Sequence, residues 1–120
     1  MSVVVSYLPT PEGDVALAHA VREVVANGGP LIVVPSRGGK NAEGVREAMR
    51  NAGAQDVESE VLEPVGPDVT DFLLEIVRTR SARLLVIGLR RRSPVGKLIL
   101  GSHAQRILLD ADCPVLAVKP

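Results

Sequence analysis

The sequence predicts an α/β fold built on a doubly wound, five-stranded parallel sheet with helices on both faces. Short β-branched runs alternate along the chain with segments whose apolar residues recur every three or four positions. No linker, repeat or low-complexity tract interrupts this alternation, and 120 residues suit one domain over residues 1–120. Strands that alternate with helices form parallel sheets through right-handed crossovers.

Five segments are predicted to be strands: residues 3–7, 31–34, 57–62, 84–87 and 115–118. Four of them are continuous apolar runs, as expected for parallel strands that are covered on both faces. The segment 57–62 alternates instead, and one of its faces carries Glu58 and Glu60. A polar face of this kind is typical of an edge strand.

The first two predicted helices follow the first and second strands. Leu17, Val21 and Val24 recur at helical spacing in the first helix, with Asp14 as the predicted N-cap and Gly28 as a stop. The second helix carries its apolar face on residues 45, 48, 49 and 52. It lies between Asn41 in front and Gly53 behind.

The third and fourth predicted helices follow the third and fourth strands. The third carries apolar residues at positions 69, 72, 73, 76 and 77 and is opened by Pro67 and Asp68. The fourth carries them at positions 100, 104, 107 and 108. Residues 112–114 end it, because Pro114 disfavours helix at the preceding residue.

The composition excludes several classes of function. A formal net charge of zero argues against a protein that coats nucleic acid, and the two aromatic residues, Tyr7 and Phe72, leave little surface on which bases could stack. A single cysteine, Cys113, forms neither an internal disulfide nor a cysteine-rich zinc site. No apolar run approaches the roughly 20 residues of a membrane span, and the first residues lack a signal-peptide pattern. We therefore expect a cytoplasmic protein that contacts neither nucleic acid nor a membrane.

The two halves of the chain carry opposite charge. Residues 1–75 hold five basic and twelve acidic side chains, a net charge of −7, whereas residues 76–120 hold nine basic and two acidic side chains, a net charge of +7. The cations gather around the loop that follows the fourth predicted strand. This asymmetry favours a small anionic ligand or an acidic partner surface.

In a doubly wound sheet, ligands bind beyond the carboxyl ends of the strands, where the strand order reverses. The loops after Tyr7 and after Ile87 are therefore the candidates. The second loop carries glycines at both ends, four cations, and the pair Gly101-Ser102 near the start of a helix. Backbone N–H groups at a helix N-terminus attract phosphate, and glycine lets the backbone approach it closely. The alternative is a solvated basic loop whose glycines only serve its turns.

Other nucleotide and catalytic motifs are not supported. Gly96-Lys97 resembles the end of a P-loop, but Arg91 stands where its first glycine would be. No Gly-x-Gly-x-x-Gly follows the first strand, and no base–nucleophile pair or metal cluster appears at informative spacing. We predict no active site, with weak ATP hydrolysis as the most that the chain would perform.

Residues 84 onward resemble the C-terminal half of a universal stress protein. The nucleotide-binding members of that family carry Gly-x2-Gly-x9-Gly-(Ser/Thr) after the fourth strand. Gly88, Gly101 and Ser102 match this pattern at the right spacing, while Arg91 stands at the second glycine. The closing segment 111–118, Ala-Asp-Cys-Pro-Val-Leu-Ala-Val, and the order of elements are also similar to the family.

The resemblance implies a sheet of order 3-2-1-4-5 and a homodimer formed through the terminal strand 115–118. It also implies a stress-response module that binds ATP, with ADP, AMP and cyclic AMP left open and Mg²⁺ expected only with ATP. In the family, an Asp near the start of the first-strand loop commonly helps to hold the adenosine, and Pro9 stands at that position here. The predicted nucleotide-binding residues are Gly88, Arg90, Arg91, Gly96, Lys97, Gly101, Ser102, His103, Tyr7, Leu8 and Pro9.

Two alternatives stay open. The first is a member of the same family that binds no nucleotide and acts as a homodimeric protein-interaction module. The second is an enzyme that acts on a phosphorylated small molecule, for which Ser102 would be the residue to test.

Overall fold

The computed structural model describes residues 1–36, 42–90 and 101–120 of the chain. Helices and strands alternate throughout these ranges, with one short 3₁₀ turn at Ala54–Asp56 after the second helix. In chain order the elements are β1 (Ser2–Tyr7), α1 (Pro11–Asn27), β2 (Leu31–Pro35), α2 (Ala42–Asn51), β3 (Ser59–Val61), α3 (Val69–Thr79), β4 (Ala82–Gly88), α4 (Ser102–Asp110) and β5 (Val115–Val118).

The strands form a five-stranded parallel sheet of order β3-β2-β1-β4-β5. Central β1 pairs with β2 and β4, so that Val3 lies opposite Leu31 on one side and Leu84 on the other. This arrangement confirms the predicted fold class and strand order. It places β3 and β5 at the two edges of the sheet.

Each face of the sheet is covered by a pair of helices. Val3, Val5 and Tyr7 of β1 pack in one buried cluster with α1 and α2. Val4 points to the opposite face, where it shares a second cluster with Leu73 of α3 and other residues of α3 and α4. The central strands are apolar on both faces because both faces are covered by helices.

Several predicted boundaries differ from the structure. Helix α1 starts at Pro11 with Thr10 as its N-cap, so Asp14 lies inside the first turn and was wrongly predicted as the cap. Pro11 explains the difference, since proline suits the first helical position. Asp68 is confirmed as the N-cap of α3: its Oδ1 accepts a hydrogen bond from the Asp71 N–H at 3.1 Å.

The edge strands also differ in detail from the prediction. Strand β3 is only three residues long, Ser59–Val61, where 57–62 was predicted. Strand β5 is an apolar run but is not covered on both faces, because Leu116 is 38% exposed. Asn41 and Leu100, which were predicted to flank or belong to helices, lie outside the described residues. Within the described ranges, none of the helices is both long and apolar enough to cross a bilayer.

At the amino ends of the strands, the guanidinium of Arg83 on β4 closes the C-terminus of α1. Its Nη2 donates to the carbonyl oxygens of Gly28 at 2.9 Å and of Glu23 at 3.3 Å, and its Nη1 pairs with the Glu23 carboxylate at 2.7 Å. The contact with Gly28 gives a partner to a carbonyl that lies just beyond the end of the helix. The Arg83 pair lowers the pKa of Glu23 below its ordinary value, with a further hydrogen bond from Asn27.

Candidate functional site

A cavity of about 430 Å³ lies at the carboxyl ends of β1 and β4. These strands are neighbours, but α1 leaves β1 toward one face of the sheet and α4 follows β4 on the other face. The divergence of the two helices opens a crevice at the reversal of strand order, as the fold class predicts. The described lining residues are Ser6, Leu8, Thr10, Glu12, Ile87, Gly88, Leu89, Arg90, Gly101, Ser102, His103, Ala104 and Ile107.

The N-terminus of α4 faces this cavity without a side-chain cap. Gly101 is its N-cap residue, and no side chain among the described residues accepts a hydrogen bond there. The N-terminus of α1, which also borders the cavity, is closed by Thr10: its Oγ1 accepts from the Gly13 N–H at 3.2 Å. The first N–H groups of a helix have no partner within the helix and carry partial positive charge. The first turn of α4 therefore offers donors to an anion in the cavity.

His103 lies in the first turn of α4, and its ring contacts a residue of α3. Its Nδ1 lies 2.6 Å from the hydroxyl oxygen of Thr70, a residue that is itself buried. One of the two atoms donates to the other, depending on the tautomer of the ring. The contact keeps the imidazole ring at the wall of the cavity.

Glu12 and Gly88 bring α1 and β4 together at the floor of the crevice. A Cβ added to Gly88 would lie 2.4 Å from the Glu12 carbonyl oxygen, closer than a real Cβ is found. Gly88 is thus explained by the contact between helix and strand, whether or not a ligand is bound. Glu12 is buried and is one of the residues that line the cavity.

The structure brings six of the predicted site residues together around the cavity. They are Leu8, Gly88, Arg90, Gly101, Ser102 and His103. Three other predicted residues, Arg91, Gly96 and Lys97, lie outside the described residues.

Tyr7 and Pro9 are not among the lining residues. The Tyr7 side chain points to the opposite face of the sheet, where it is buried with α1. Its hydroxyl donates to Asp14 Oδ1 at 3.0 Å. Burial, together with the hydrogen bond and the negative charge of Asp14, raises the pKa of Tyr7 to about 12. The ring of Tyr7 therefore serves the core.

Several residues that line the cavity were not predicted from the sequence, most notably Ser6 and Glu12. Ser6 alternates with the buried Tyr7 along β1, so period-two spacing alone places it on the other face. Glu12 gave no comparable signal, since acidic residues are common in the first turn of any helix. Among the described residues, no three His, Cys, Asp or Glu side chains lie close enough together to hold a metal ion.

Comparison with known proteins gives consistent matches to one family. The model of the universal stress protein family matches residues 35–119. A universal stress protein of Mycolicibacterium smegmatis is 42% identical over 127 residues, covering 98% of this chain and 97% of the relative.

Solved structures match over nearly the whole chain. A universal stress protein of Archaeoglobus fulgidus superposes with a TM-score of 0.81 at 30% identity, covering 99% of this chain and 98% of that one. An Archaeoglobus fulgidus structure in complex with dAMP has a TM-score of 0.75 at 24% identity, covering 99% and 98%. A universal stress protein in complex with cAMP has a TM-score of 0.70 at 22% identity, covering 99% and 96%.

Proposed function

Because this chain belongs to the universal stress protein family, we propose that it is a stress-response module that binds an adenine nucleotide, with ATP as the first candidate. The ligand occupies the cavity at the carboxyl ends of β1 and β4. The observation that carries the proposal is the N-terminus of α4, which faces this cavity with Gly101 as its N-cap and no side-chain cap among the described residues. Its free N–H groups suit a phosphate.

The composition of the cavity wall supports a nucleotide over a bare phosphate. Apolar side chains of Ile87, Leu89 and Ile107 line part of the cavity and suit the flat faces of a base. Ser102 adds a hydroxyl beside the N–H groups of α4, and Arg90 adds a positive charge. The volume of about 430 Å³ lies within the usual range for small-molecule sites.

The related structures add support of a different kind. One was solved with dAMP and another with cAMP, so proteins of this fold hold adenine nucleotides. If ATP arrives with Mg²⁺, the ion is held mainly by phosphate oxygens and water, as is usual for Mg²⁺. In this proposal the basic loop that contains Arg91, Gly96 and Lys97 supplies further positive charge near the phosphates.

Calorimetric titration with ATP, ADP, AMP and cyclic AMP, each with and without Mg²⁺, tests the proposal. We expect saturable binding of at least one of them, with Gly101→Val as the matched variant that blocks the approach of the phosphate to α4. Absence of binding to the wild-type protein at millimolar nucleotide would overturn the proposal. It would then favour the alternative of an interaction module without a nucleotide.

We also propose that the protein is a homodimer that pairs through β5, Val115–Val118. This strand is an edge of the sheet, and Leu116 on it is 38% exposed, while Leu109 at the end of the neighbouring α4 is 83% exposed. An uncovered apolar edge favours association with a second chain. Sedimentation velocity should give a dimer for the wild-type protein and a monomer for Leu116→Lys. A wild-type monomer at micromolar concentration would refute the proposal of a homodimer.

A cytoplasmic location is a prediction from the sequence.

A further inference from the structure

A buried glutamate lines the cavity, and its carboxylate has no partner among the described residues. Glu12 is 6% exposed and lines the cavity. Within residues 1–36, 42–90 and 101–120, no hydrogen bond or ion pair is formed by its side chain. Over the same ranges, every fully enclosed side-chain nitrogen or oxygen has a hydrogen-bond partner, so the unpaired Glu12 oxygens are not fully enclosed. Buried carboxylates are normally hydrogen-bonded, and one that is not calls for an explanation.

We infer that Glu12 accepts hydrogen bonds from the vicinal 2′- and 3′-hydroxyls of the ribose, and that it thereby selects ribonucleotides. The inference rests on the proposed nucleotide site. A carboxylate is an acceptor only, so its ligand must supply donors. A ribose presents two adjacent hydroxyl donors, which match the two oxygens of one carboxylate.

The negative charge of Glu12 disfavours direct contact between its carboxylate and the phosphate. Like charges at close range repel each other, and the phosphate has a favourable position at the N-terminus of α4. The cavity is therefore lined by both kinds of group: hydrogen-bond donors at Gly101 and Ser102, and an acceptor at Glu12. A nucleotide has the same polarity, because its phosphates accept hydrogen bonds while its sugar hydroxyls donate them.

The backbone that carries Glu12 is held firmly in place. Thr10 caps the first turn of α1, and Pro11 fixes the backbone directly before Glu12. A Cβ added to Gly13 would lie 1.8 Å from the Leu8 carbonyl oxygen, and one added to Gly88 would lie 2.4 Å from the Glu12 carbonyl oxygen. Close packing on both sides fixes the backbone from which the Glu12 side chain extends, so this part of the chain needs no ordering when a ligand binds.

The test compares nucleotides that differ only in the hydroxyls of their sugar. ATP, 2′-deoxy-ATP and 2′,3′-dideoxy-ATP are titrated into the wild-type protein and into Glu12→Ala and Glu12→Gln, in EDTA so that no metal ion bridges the contact. We expect the wild-type protein to bind ATP about 10- to 100-fold more tightly than dideoxy-ATP, the range for hydrogen bonds to a charged group. In Glu12→Ala this ratio should fall close to one. Glu12→Gln, which keeps the shape and one acceptor, should give an intermediate ratio.

The outcomes separate this inference from the proposed function. If the wild-type protein binds none of ATP, ADP, AMP and cyclic AMP, the nucleotide proposal fails and this inference fails with it. If ATP binds but the ratio is the same in the wild-type protein and both variants, the ribose contact alone is refuted. Glu43→Ala removes an exposed acid from the first turn of α2 and should leave the ratio unchanged. Thermal melting identifies any variant that fails to fold. If Glu12→Ala does not fold, the ratio of ATP to dideoxy-ATP affinity in Glu12→Gln is compared with that of the wild-type protein instead.

Discussion

The two ends of the sheet treat their polar groups in opposite ways. At the amino ends of the strands, Arg83 donates to the carbonyl oxygens of Gly28 and Glu23 at the end of α1, and the Ser2 hydroxyl donates to the Arg80 carbonyl oxygen at 3.0 Å. At the carboxyl ends, Gly101 leaves the start of α4 without a side-chain cap, and Glu12 has no partner among the described residues. Polar groups that are already paired stabilise the fold, whereas unpaired groups around a cavity remain available to a ligand.

This difference separates residues that serve stability from residues that serve binding. Substitutions at the amino end should change the free energy of unfolding and leave ligand affinity alone. Substitutions at the carboxyl end should mostly do the reverse. Variants at the two ends of the sheet test where this separation holds and where it fails.

Gly88→Ala should be the clearest exception to the separation between stability and binding, because Gly88 lies at the carboxyl ends of the strands and yet has a packing role. The added Cβ would meet the Glu12 carbonyl oxygen at 2.4 Å and must push α1 away from β4. We expect a loss of about 3 kcal/mol in the free energy of unfolding without any ligand, at the upper end for overpacking. Urea denaturation measures it.

Gly53→Ala is the control for Gly88→Ala. Gly53 has a φ of +83°, but a Cβ there would meet nothing within 4 Å. Its cost should be about 1 kcal/mol from backbone conformation alone. Wild-type stability in Gly88→Ala, combined with lost nucleotide binding, would show that this glycine serves the ligand instead.

Gly101→Asp should sharpen the separation, because it closes the open end of α4 with the residue's own carboxylate. The φ of Gly101 is −70°, which any residue adopts, and aspartate is a good N-cap. Stability should therefore stay level or rise by a few tenths of a kcal/mol. Nucleotide affinity should fall by about 100-fold, since the carboxylate occupies the phosphate's donors and repels it.

Gly101→Asn separates the two causes of that loss. The amide oxygen of asparagine also caps the helix but carries no charge. It should weaken binding less than Gly101→Asp does. Unchanged affinity in Gly101→Asp would mean that the phosphate does not lie at the start of α4.

Sequence patterns predicted the framework of the molecule better than its site. Alternation of apolar runs and helical spacing is a local property, so the five strands and four helices followed from it, and the crevice followed from the reversal of strand order. The order of the strands came only from the family resemblance. The prediction of Asp14 as a cap is wrong because Thr10 followed by Pro11 is the stronger signal for the start of a helix.

The site was harder to predict because it depends on contacts between residues far apart in the chain. The burial of Tyr7 away from the cavity does follow from its alternation with Ser6 along β1. The burial of Glu12 depends on the close approach of Gly88, and the position of His103 depends on Thr70 of α3. No local pattern in the sequence contains either contact.

The Tyr7 hydroxyl should make stability depend on pH through a residue that does not line the cavity. Its pKa is raised from an ordinary value of 10.0 to about 12 in the folded protein. Folding therefore favours the protonated phenol, and this contribution is complete below pH 10 and is lost as the pH rises from 10 toward 12. By pH 11 the wild-type protein should lose about 1.4 kcal/mol that Tyr7→Phe does not lose.

Urea denaturation of both proteins at pH 8 and pH 11 measures this difference, and other groups that titrate in the range cancel between them. Nucleotide affinity at neutral pH should be the same in Tyr7→Phe, because the ring packs against α1 on the other face. If the free energy of unfolding changed equally with pH in the two proteins, the pKa of the Tyr7 phenol would not be raised in the folded protein. A large loss of nucleotide affinity in Tyr7→Phe would show that Tyr7 belongs to the binding site.

Arg83→Met should have the smallest effect and gives the direct test of the amino end. The variant keeps much of the apolar stem but loses the hydrogen bond to the Gly28 carbonyl oxygen, a contact of 2.9 Å that contributes about 1 kcal/mol. Arg80→Met is the matched control, since Arg80 pairs only with the exposed carboxylate of Glu60 among the described side chains, and exposed ion pairs add little. We expect a lower melting temperature for Arg83→Met than for Arg80→Met, with nucleotide affinity unchanged in both. If Arg83→Met weakened binding as much as stability, the two ends of the sheet would be coupled through α1, because this helix runs from the Arg83 contact to Glu12.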